Sequence, residues 1–405
     1  MRVTQTLNQL NFVSALNTLE ANLSQTQNQI ATNLSFTTPS QNPVAAGAVD
    51  NYNQALSQSK QYDTNANSAQ TRLGTEDNAL SQVQSALQSL RTLALQANSG
   101  TVSNTDRSAI ATQARQLQST LVSLANTQDG NGEYIFGGFA TQTQPFALSP
   151  TGATYSGDLG QRQVQIAAGQ TVPDGDNGAV VFNQIKTGNG TFTALAGAAN
   201  TGSGVLGAST VTSTGAFNGD TYAINFRAVP ATGTTANTYD VVDTTTGTTL
   251  STSTYTNGQA ISFNGGQVTI SGQPAIGDTF SVAPSTNQSI FTTVQNLVNA
   301  LQTNSISTGA NTSLSNSINA AINNIDQALN QTSTVRSDVG GRLNSITTQL
   351  SVSGSQQIQL QTSISSLQSL DYASAITKLT EQNTTLTASM QAYTLTQGLS
   401  LFKYL

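Results

Sequence analysis

Two stretches rich in glycine and aspartate match ligand-binding patterns, and each also has a simpler interpretation. Residues 202–207 read Gly-Ser-Gly-Val-Leu-Gly and match the G-x-G-x-x-G pattern, which binds a dinucleotide only where it opens a helix. The residues that follow are poor helix formers. Residues 174–178 read Asp-Gly-Asp-Asn-Gly, but Ile185 stands where an EF-hand loop needs its glutamate. We therefore predict a loop and a turn, with no cofactor and no metal ion.

Paired carboxylates for acid–base catalysis are the other chemistry that the sequence suggests. Glu76 and Asp77 are neighbours on a predicted helix, so their side chains point in different directions. Asp326 and Asp338 are roughly three helical turns apart. The chain contains no His and no Cys, so the commonest general base and the thiolate nucleophile are missing. We predict that both pairs lie on solvated helix faces and that the protein is not an enzyme.

Charge is scarce in this 405-residue chain, at 8% of its residues against about 25% in an average soluble protein. The 13 Lys and Arg residues are outnumbered by 19 Asp and Glu residues, and no segment carries the basic stripe that binds nucleic acid. No apolar run is long enough to span a bilayer, and the polar start does not read as a cleavable signal peptide. We expect neither nucleic acid nor a membrane as a partner.

Apolar residues in the first part of the chain recur at spacings of three, four and seven, which indicates helices with one apolar stripe. Ser99 and Gly100 are predicted to end one helix, and Asn104 is the predicted N-cap of the next. The stripe residues that we assign to helix packing and assembly in this part are Leu16, Leu19, Leu23, Ile30, Leu80, Val83, Leu87 and Leu90.

The last part of the chain has a cleaner pattern, because a 4-3 spacing continues from residue 318 to residue 367. Such a period places the apolar stripe of a helix against another helix over many turns. At 1.5 Å per residue, a helix over 314–367 is about 80 Å long. Together with the N-terminal stripe, the following residues form what we call the helical seam: Ile318, Ile322, Ile325, Leu329, Arg336, Leu343, Ile346, Leu350, Leu360, Ile364, Leu367, Leu386 and Leu401.

Arg336 is the charged member of the helical seam. Its long side chain can snorkel from the edge of the apolar stripe into solvent. Alternatively, it forms a register-setting contact with a carboxylate on the opposing helix or on a neighbouring subunit. The sequence leaves both interpretations open.

The middle of the chain is rich in Gly, Thr, Asn and Ser and has short alternating runs. Residues 221–226, 238–242 and 267–270 are predicted strands. Turn signals are spaced about one strand apart, at Asn218-Gly219, Thr246-Gly247, Asn257-Gly258 and Asn264-Gly265. The helical period resumes at Ile290. This part therefore reads as a β-rich domain.

The predicted fold is a multidomain α+β fold, in which both chain ends form a long antiparallel α-helical coiled coil or bundle around an inserted β-rich domain. Each seam Leu or Ile contributes roughly 1.5–3 kcal/mol when buried, so the two ends are expected to pack against each other. The predicted segments are a terminal helix disordered before assembly at 1–45, the halves of a helical core at 46–138 and 291–368, the β-rich outer domain at 139–290, and a second terminal helix at 369–405.

Both ends resemble the bacterial flagellins and their hook-associated relatives. Asn42-Pro43 stands at the family's break between two helices, and Arg336, Gly340 and Asn344 fit its Arg–Gly–Asn spacing. The hook-associated branch is favoured by the segment Tyr134-Ile135-Phe136-Gly137-Gly138 and the ending Leu-Ser-Leu-Phe-Lys-Tyr-Leu at 399–405, where Lys403 replaces an expected Asp. Other matching segments are 1–3, 34–43, 78–80, 93–100, 106–107, 219–222 and 270–280.

This resemblance implies a structural role in the extracellular flagellum, in the layer between hook and filament. It implies export of the unfolded chain through the flagellar type III apparatus, with a cytosolic chaperone on the C-terminal region. The implied partners are copies of the chain itself, a neighbouring hook-associated protein and flagellin subunits. Catalytic residues, cofactors and metals are not expected.

Two alternatives remain. A filament-forming flagellin is the nearest competing interpretation. A secreted adhesin could instead use the β-rich domain, with Tyr222, Tyr239 and Tyr255 stacking on sugars, although that role would leave the helical ends without a purpose. A hydrolase would need an acidic constellation that the sequence lacks.

Overall fold

A computed structural model of the chain describes residues 2–213, 215–228, 238–303 and 308–398. The chain divides into two compact units. The terminal unit is formed by residues 1–64 and 348–405, and the central unit by residues 65–347. Within the described ranges, the helices are α1 (Arg2–Thr32), α2 (Pro43–Ala97), α3 (Asn104–Ala125), α4 (Ile290–Gln302), α5 (Thr308–Gln368) and α6 (Tyr372–Gly398).

The strands all fall between α3 and α4, so the predicted α+β fold with helical ends and an inserted β-rich part is confirmed. They are β1 (Phe146–Ser149), β2 (Gly152–Tyr155), β3 (Gln163–Ala167), β4 (Gln170–Pro173), β5 (Ile185–Lys186), β6 (Phe192–Ala196), β7 (Val205–Val211), β8 (Tyr222–Arg227), β9 (Thr238–Asp243), β10 (Thr248–Thr254), β11 (Ala260–Phe263), β12 (Gly266–Ser271), β13 (Thr279–Pro284) and β14 (Asn287–Gln288). The five segment boundaries derived from the sequence stay predictions.

In the terminal unit, the two ends of the chain pair through α1 and α6. Phe12 stacks on Tyr393 with ring centroids 4.9 Å apart, and Gln9 donates to the Tyr393 hydroxyl over 3.2 Å. At the other end of this pair, Leu34 and Ser369 form an isolated antiparallel bridge. The predicted side-by-side packing of the chain ends is therefore present in this unit.

The break between α1 and α2 has a local cause. Asn33 adopts a positive φ of 58° directly after α1, a conformation that Asn tolerates better than most residues. Pro43 then begins α2, where its missing N–H costs nothing. The Asn42 side chain accepts a hydrogen bond from Ala45 N at 3.1 Å and so caps the helix. Sequence rules alone account for this break.

In the central unit, α3 packs on α4. Ser103, and not the predicted Asn104, is the N-cap of α3, since its side chain accepts from Asp106 N at 3.2 Å. Ser103 and Asn104 are both good capping residues, and spacing alone could not separate them. The predicted helix from Ile290 is confirmed as α4.

An aromatic cluster closes the helical part of the central unit. The Phe136 and Phe146 rings each pack edge-on against Phe182, with centroids 5.2 and 5.3 Å apart. Phe291 at the start of α4 lies 5.1 Å from Phe146. Phe182 belongs to a short π-helical turn, Ala179–Asn183, which the sequence did not predict. The segment around Phe136 is thus a core element.

Eight of the strands form two antiparallel sheets with one apolar core. The first sheet has the order β10-β9-β8-β13-β6, and the second has the order β11-β12-β7. The predicted strands are confirmed as β8, β9 and β12. The core side chains that the two sheets share include Phe192, Leu206, Tyr222, Ile224, Phe226, Val241, Val268, Ile270, Phe280 and Val282.

The predicted turn glycines also agree with the structure. Gly219, Gly247, Gly258 and Gly265 have φ values between 74° and 81°, which L side chains rarely adopt. The G-x-G-x-x-G segment is a loop that runs into strand β7. Its conformation is therefore not that of a dinucleotide-binding turn, which opens a helix.

Candidate assembly interface

The helical seam is most deeply buried in the central unit. There α2 and α5 run antiparallel and bring their apolar stripes together, as cross-helix contacts between residues 77–98 and 319–336 show. The seam residues exposed by less than a tenth are Leu80, Val83, Leu87, Leu90, Ile318, Ile322, Ile325 and Ile346. These residues form a core between the two helices.

The rest of the helical seam is half-buried. In the central unit these residues are Leu329, Arg336 and Leu343; in the terminal unit they are Leu16, Leu19, Leu23, Ile30, Leu350, Leu360, Ile364, Leu367 and Leu386. Ile364 and Leu367 pack against a small core around Phe36 and Val49. Leu401 and the whole segment 399–405 lie outside the described residues.

Apolar side chains beside the seam remain exposed in the terminal unit. On α1 they are Leu7, Leu10 and Val13; on α5 and α6 they are Val352, Ile358, Ile376, Met390 and Leu395. Leu10 is 63% exposed and Leu395 is 70% exposed. Exposed apolar surface along paired helices is typical of a surface that another protein covers.

A row of polar contacts follows one side of the α2–α5 pair, and we call it the polar ladder. Its α2 members, Asp77, Gln84, Arg91 and Asn98, are seven residues apart. Arg91 Nε donates to Asp326 at 2.6 Å, Asn98 Nδ2 to Asn319 at 2.8 Å, and Gln84 Nε2 to Ser333 at 2.7 Å. Because the contacts repeat with the heptad, the ladder is compatible with a single register of the two helices.

Arg336 belongs to this polar ladder. Its Nε donates to Asp77 Oδ1 at 2.9 Å, and its Nη1 donates to Gln84 Oε1 at 2.7 Å. The Asp77 carboxylate beside it raises the pKa of the Arg336 guanidinium. The side chain therefore contacts a carboxylate on the opposing helix, as one of the two sequence interpretations required.

The second polar feature, which we call the junction network, lies where α2 meets two loops of the central unit. Arg72 contacts Asp129 and donates to Tyr134 O at 3.1 Å. The other members of the network form two further sets of contacts. Arg162 Nη1 lies 3.0 Å from Glu133, and Arg162 Nε lies 3.2 Å from Asp174. Arg342 donates two hydrogen bonds of 2.9 and 3.0 Å to Asp176. Arg72, Asp174 and Asp176 are buried, and charged side chains are almost never fully buried unless they are paired.

The junction network corrects two predictions. Residues 174–178 were expected to be an ordinary turn, yet Asp174 and Asp176 are buried and paired with arginines. Glu76 was expected on a solvated face, yet it is fully buried. Helical spacing says which residues share a face, but loops distant in sequence decide whether that face meets water.

Glu76 accepts a hydrogen bond from the backbone N–H of Asp176 at 3.2 Å. Burial raises the pKa of this carboxyl well above its usual value, and the negative charge of Asp176 raises the pKa further, while Arg342 acts in the opposite direction. Burial disfavours the charged form of a carboxyl group. Glu76 is therefore a buried carboxyl group of the helical core whose pKa is shifted upwards.

The tyrosines considered for sugar stacking belong to the β core. Tyr222 is fully buried. Tyr255 packs edge-on against Phe226 and donates hydrogen bonds to Ile270 O at 3.0 Å and Gly272 O at 2.8 Å. Tyr239 lies against the same Phe226 ring. Tyr222 therefore lies inside the β core, and Tyr239 and Tyr255 are half-buried against it.

The described residues lack two further kinds of feature. They contain no group of three or more His, Cys, Asp and Glu side chains placed to hold a metal ion. None of the described helices is both long and apolar enough to cross a bilayer.

Known protein families match the two helical ends of the chain, and these two matches leave out its β-rich middle. The bacterial flagellin N-terminal helical region matches residues 3–141, and the bacterial flagellin C-terminal helical region matches residues 322–405. Flagellar hook-associated protein 3 of Salmonella typhimurium is 35% identical over 159 residues, which are 39% of this chain and 50% of that protein. The chain thus matches about half the length of this curated relative.

Solved structures match over more of their length. FlgL of Xanthomonas campestris is 34% identical, with a TM-score of 0.71 over 78% of this chain and 99% of that one. The flagellar junction protein FlgL of Legionella pneumophila is 30% identical, with a TM-score of 0.70 over 80% of this chain and 100% of that one. With its helical ends, its inserted sheets and these matches, the chain belongs to the flagellin family and, within it, to the hook-associated protein 3 (FlgL) group.

Proposed function

We propose that this protein joins the flagellar hook to the filament as a structural subunit and is not an enzyme. The observation that carries the proposal is the pairing of α1 with α6, which leaves apolar residues of both helices exposed. A solved relative that the chain covers in full is named a flagellar junction protein. In this role, packing between subunits is the activity.

The assembly surface that we propose is the half-buried part of the helical seam together with the exposed apolar residues beside it. Leu7, Leu10 and Val13 continue the N-terminal stripe, and Ile376 and Leu395 lie on α6. Neighbouring subunits would cover these side chains. Head-to-tail contacts between identical chains that do not close into a ring generate a helical tube, so one surface can serve every copy.

The proposed partners are copies of this chain, a neighbouring hook-associated protein and flagellin subunits. Export of the unfolded chain to the outside of the cell, with a chaperone on its C-terminal region, fits helices with so little charge and so much Gln, Asn, Ser and Thr. Such helices are marginal alone and order when they pack. The proposed location is the extracellular hook–filament junction.

A strain that lacks this protein is expected to build hooks and to release flagellin monomers into the medium, because no layer remains on which the filament can start. Electron microscopy of the cells and an immunoblot of the medium measure both effects, and restoring the gene is the control. Filaments of normal length in the deletion strain would contradict the junction role.

A filament subunit is the second candidate, because both flagellin regions match the chain. Antibody labelling of isolated flagella separates the two roles. A junction protein gives one labelled band at the end of the hook, whereas a filament subunit is labelled along the whole filament. The adhesin role loses support because Tyr222 is buried in the β core and Tyr239 and Tyr255 pack against it.

Arg336 is proposed to set the register of the α2–α5 pair. Arg336→Leu removes the contacts to Asp77 and Gln84 and is expected to lower incorporation into flagella about twofold to fivefold, since a partly exposed ion pair contributes up to about 1 kcal/mol. Quantitative immunoblots of purified flagella measure this loss. Arg115→Leu is the control: it removes an exposed positive charge on α3 and should not change incorporation. If Arg336→Leu also has no effect on incorporation, the snorkelling interpretation of Arg336 is the better one.

A further inference from the structure

A small cavity lies beside Gly175, inside the junction network. Its volume is about 10 Å³, and Arg72, Ile135 and Asp174 are among its lining residues. This volume is close to the smallest that holds one water molecule. Because Gly175 has no side chain, space remains at its Cα: a Cβ built there would be 3.5 Å or more from its nearest neighbours.

The atoms around this space are polar. The point where a Gly175 Cβ would lie is 3.5 Å from Ile135 O, 3.7 Å from Arg72 Nε and 3.7 Å from Glu76 Oε2. Glu76 is fully buried and Arg72 is 5% exposed. A backbone acceptor, a cationic donor and a carboxyl oxygen therefore converge on one spot, and the two side chains among them are buried.

Two of these atoms lack a hydrogen-bond partner. Among the residues that the structure describes, neither Arg72 Nε nor Glu76 Oε2 is hydrogen-bonded. Asp174 Oδ2 is 4.0 Å from Arg72 Nε, which is an ionic contact but too long for a hydrogen bond. Buried polar atoms without partners are rare in folded proteins because leaving them unpaired is costly.

We propose that the space beside Gly175 binds one water molecule, which accepts a hydrogen bond from Arg72 Nε and is hydrogen-bonded to Glu76 Oε2 and Ile135 O. Three hydrogen bonds are the usual number for a buried water. A water molecule both donates and accepts, so it serves the Glu76 carboxyl with or without its proton. A metal cation does not fit, because the Arg72 guanidinium directs a positively charged N–H at the same spot.

The water completes the connection between three segments of the central unit. Arg72 and Glu76 lie on α2, Ile135 lies in the segment after α3, and Gly175 precedes the π-helical turn. The direct contacts of the junction network already join these segments, and the water satisfies the atoms that those contacts leave over. This site does not depend on the proposed junction function, so each can fail alone.

Gly175→Ala tests the site, because the new methyl group fits without a clash but takes the space of the water. With the water displaced, the unfolding equilibrium constant of the full-length protein is expected to rise about tenfold, as for the loss of a partner by a buried polar group. Urea unfolding followed by circular dichroism measures the shift. Equal or greater stability of Gly175→Ala than of the wild type would mean that the cavity is dry and would overturn the proposal.

Gly130→Ala is the matched control. Gly130 is also outside the helices and has an ordinary φ, and within the described part of the chain no atom approaches the position of its Cβ within 4 Å. A Gly-to-Ala change at such a site is neutral or slightly stabilising because it restricts the unfolded chain. Opposite signs for the two variants therefore separate a lost water from a general effect of alanine.

A crystal structure of the wild-type protein at high resolution tests the site directly and does not depend on how the variant folds. The expected result is one ordered water within about 3.2 Å of both Arg72 Nε and Glu76 Oε2. An empty cavity, or a cation surrounded by oxygen ligands, would overturn the proposal.

Discussion

Leu87→Ala is expected to lower the free energy of unfolding by about 2–5 kcal/mol, the range for removing a buried leucine side chain from a packed core. Leu87 lies on α2 in the central unit and is fully buried in the helical seam. The loss combines the transfer of apolar surface with the cavity left behind, because neighbouring side chains relax only in part. Urea unfolding of the purified full-length chain measures the change in free energy.

Leu95→Ala is the matched control for this prediction. Leu95 is on the same helix, but 49% of it is exposed, so its truncation should change stability by no more than about 0.5 kcal/mol. If both variants lose the same amount of stability, the seam is not the core of the α2–α5 pair. A small loss of stability for Leu87→Ala together with a large loss for Leu95→Ala would mean that the face of α2 that carries Leu95, and not the face that carries Leu87, is packed.

Glu76→Gln is expected to make the protein more stable than the wild type by an amount that grows as the pH rises above about 4.5. Burial raises the pKa of Glu76 in the folded state above its unfolded value of 4.5. Between these two pKa values the folded protein holds a proton that the unfolded chain has released. The wild type therefore loses stability as the pH rises through this window, and the uncharged glutamine does not.

The measurement is the difference in unfolding free energy between each variant and the wild type at several pH values from about 2 to 8, since the difference cancels the other titrating groups. Asp240→Asn is a control, because its effect on stability is expected to have the opposite dependence on pH. A hydrogen bond from Arg227 holds the pKa of Asp240 below its usual value, so the stability from this carboxylate is present above pH 3.8 and is lost as the pH falls. A difference between Glu76→Gln and the wild type that does not change with pH would show that Glu76 is ionised and accommodated in the fold.

The periodic elements were predictable because their cause is local. The alternation around Tyr222 and Val268 marks half-buried strands, and Gly219 and Gly265 close turns that require a positive φ. The 4-3 spacing gave the stripe of α5 from Ile318 onwards. Within the seam, burial falls from Ile325, which is fully buried, to Leu360, which is only half-buried; the spacing is the same at both, so it could not predict the difference.

The junction network was not predictable in the same way. In a chain with so few charges, the recurrence of Arg and Asp at 72, 129, 162, 174 and 342 was a signal that could have been noticed. It would still not have paired them, since Arg342 and Asp176 are 166 residues apart. Helical spacing places Glu76 on one face of α2, but the loop that covers this face begins about a hundred residues later.

The amino-acid pattern by itself determined the helical ends, the inserted strands, the turns between them and the likeness to flagellins, because each depends on residues close together in the chain. Only the tertiary structure decided which charged residues are buried, which carboxylate Arg336 meets, and that the candidate sugar-binding tyrosines pack in or against the β core. The physical reason is that burial and ion pairing are set by segments that meet in space. A repeat along one segment specifies the face that it offers, but not the residues that cover it.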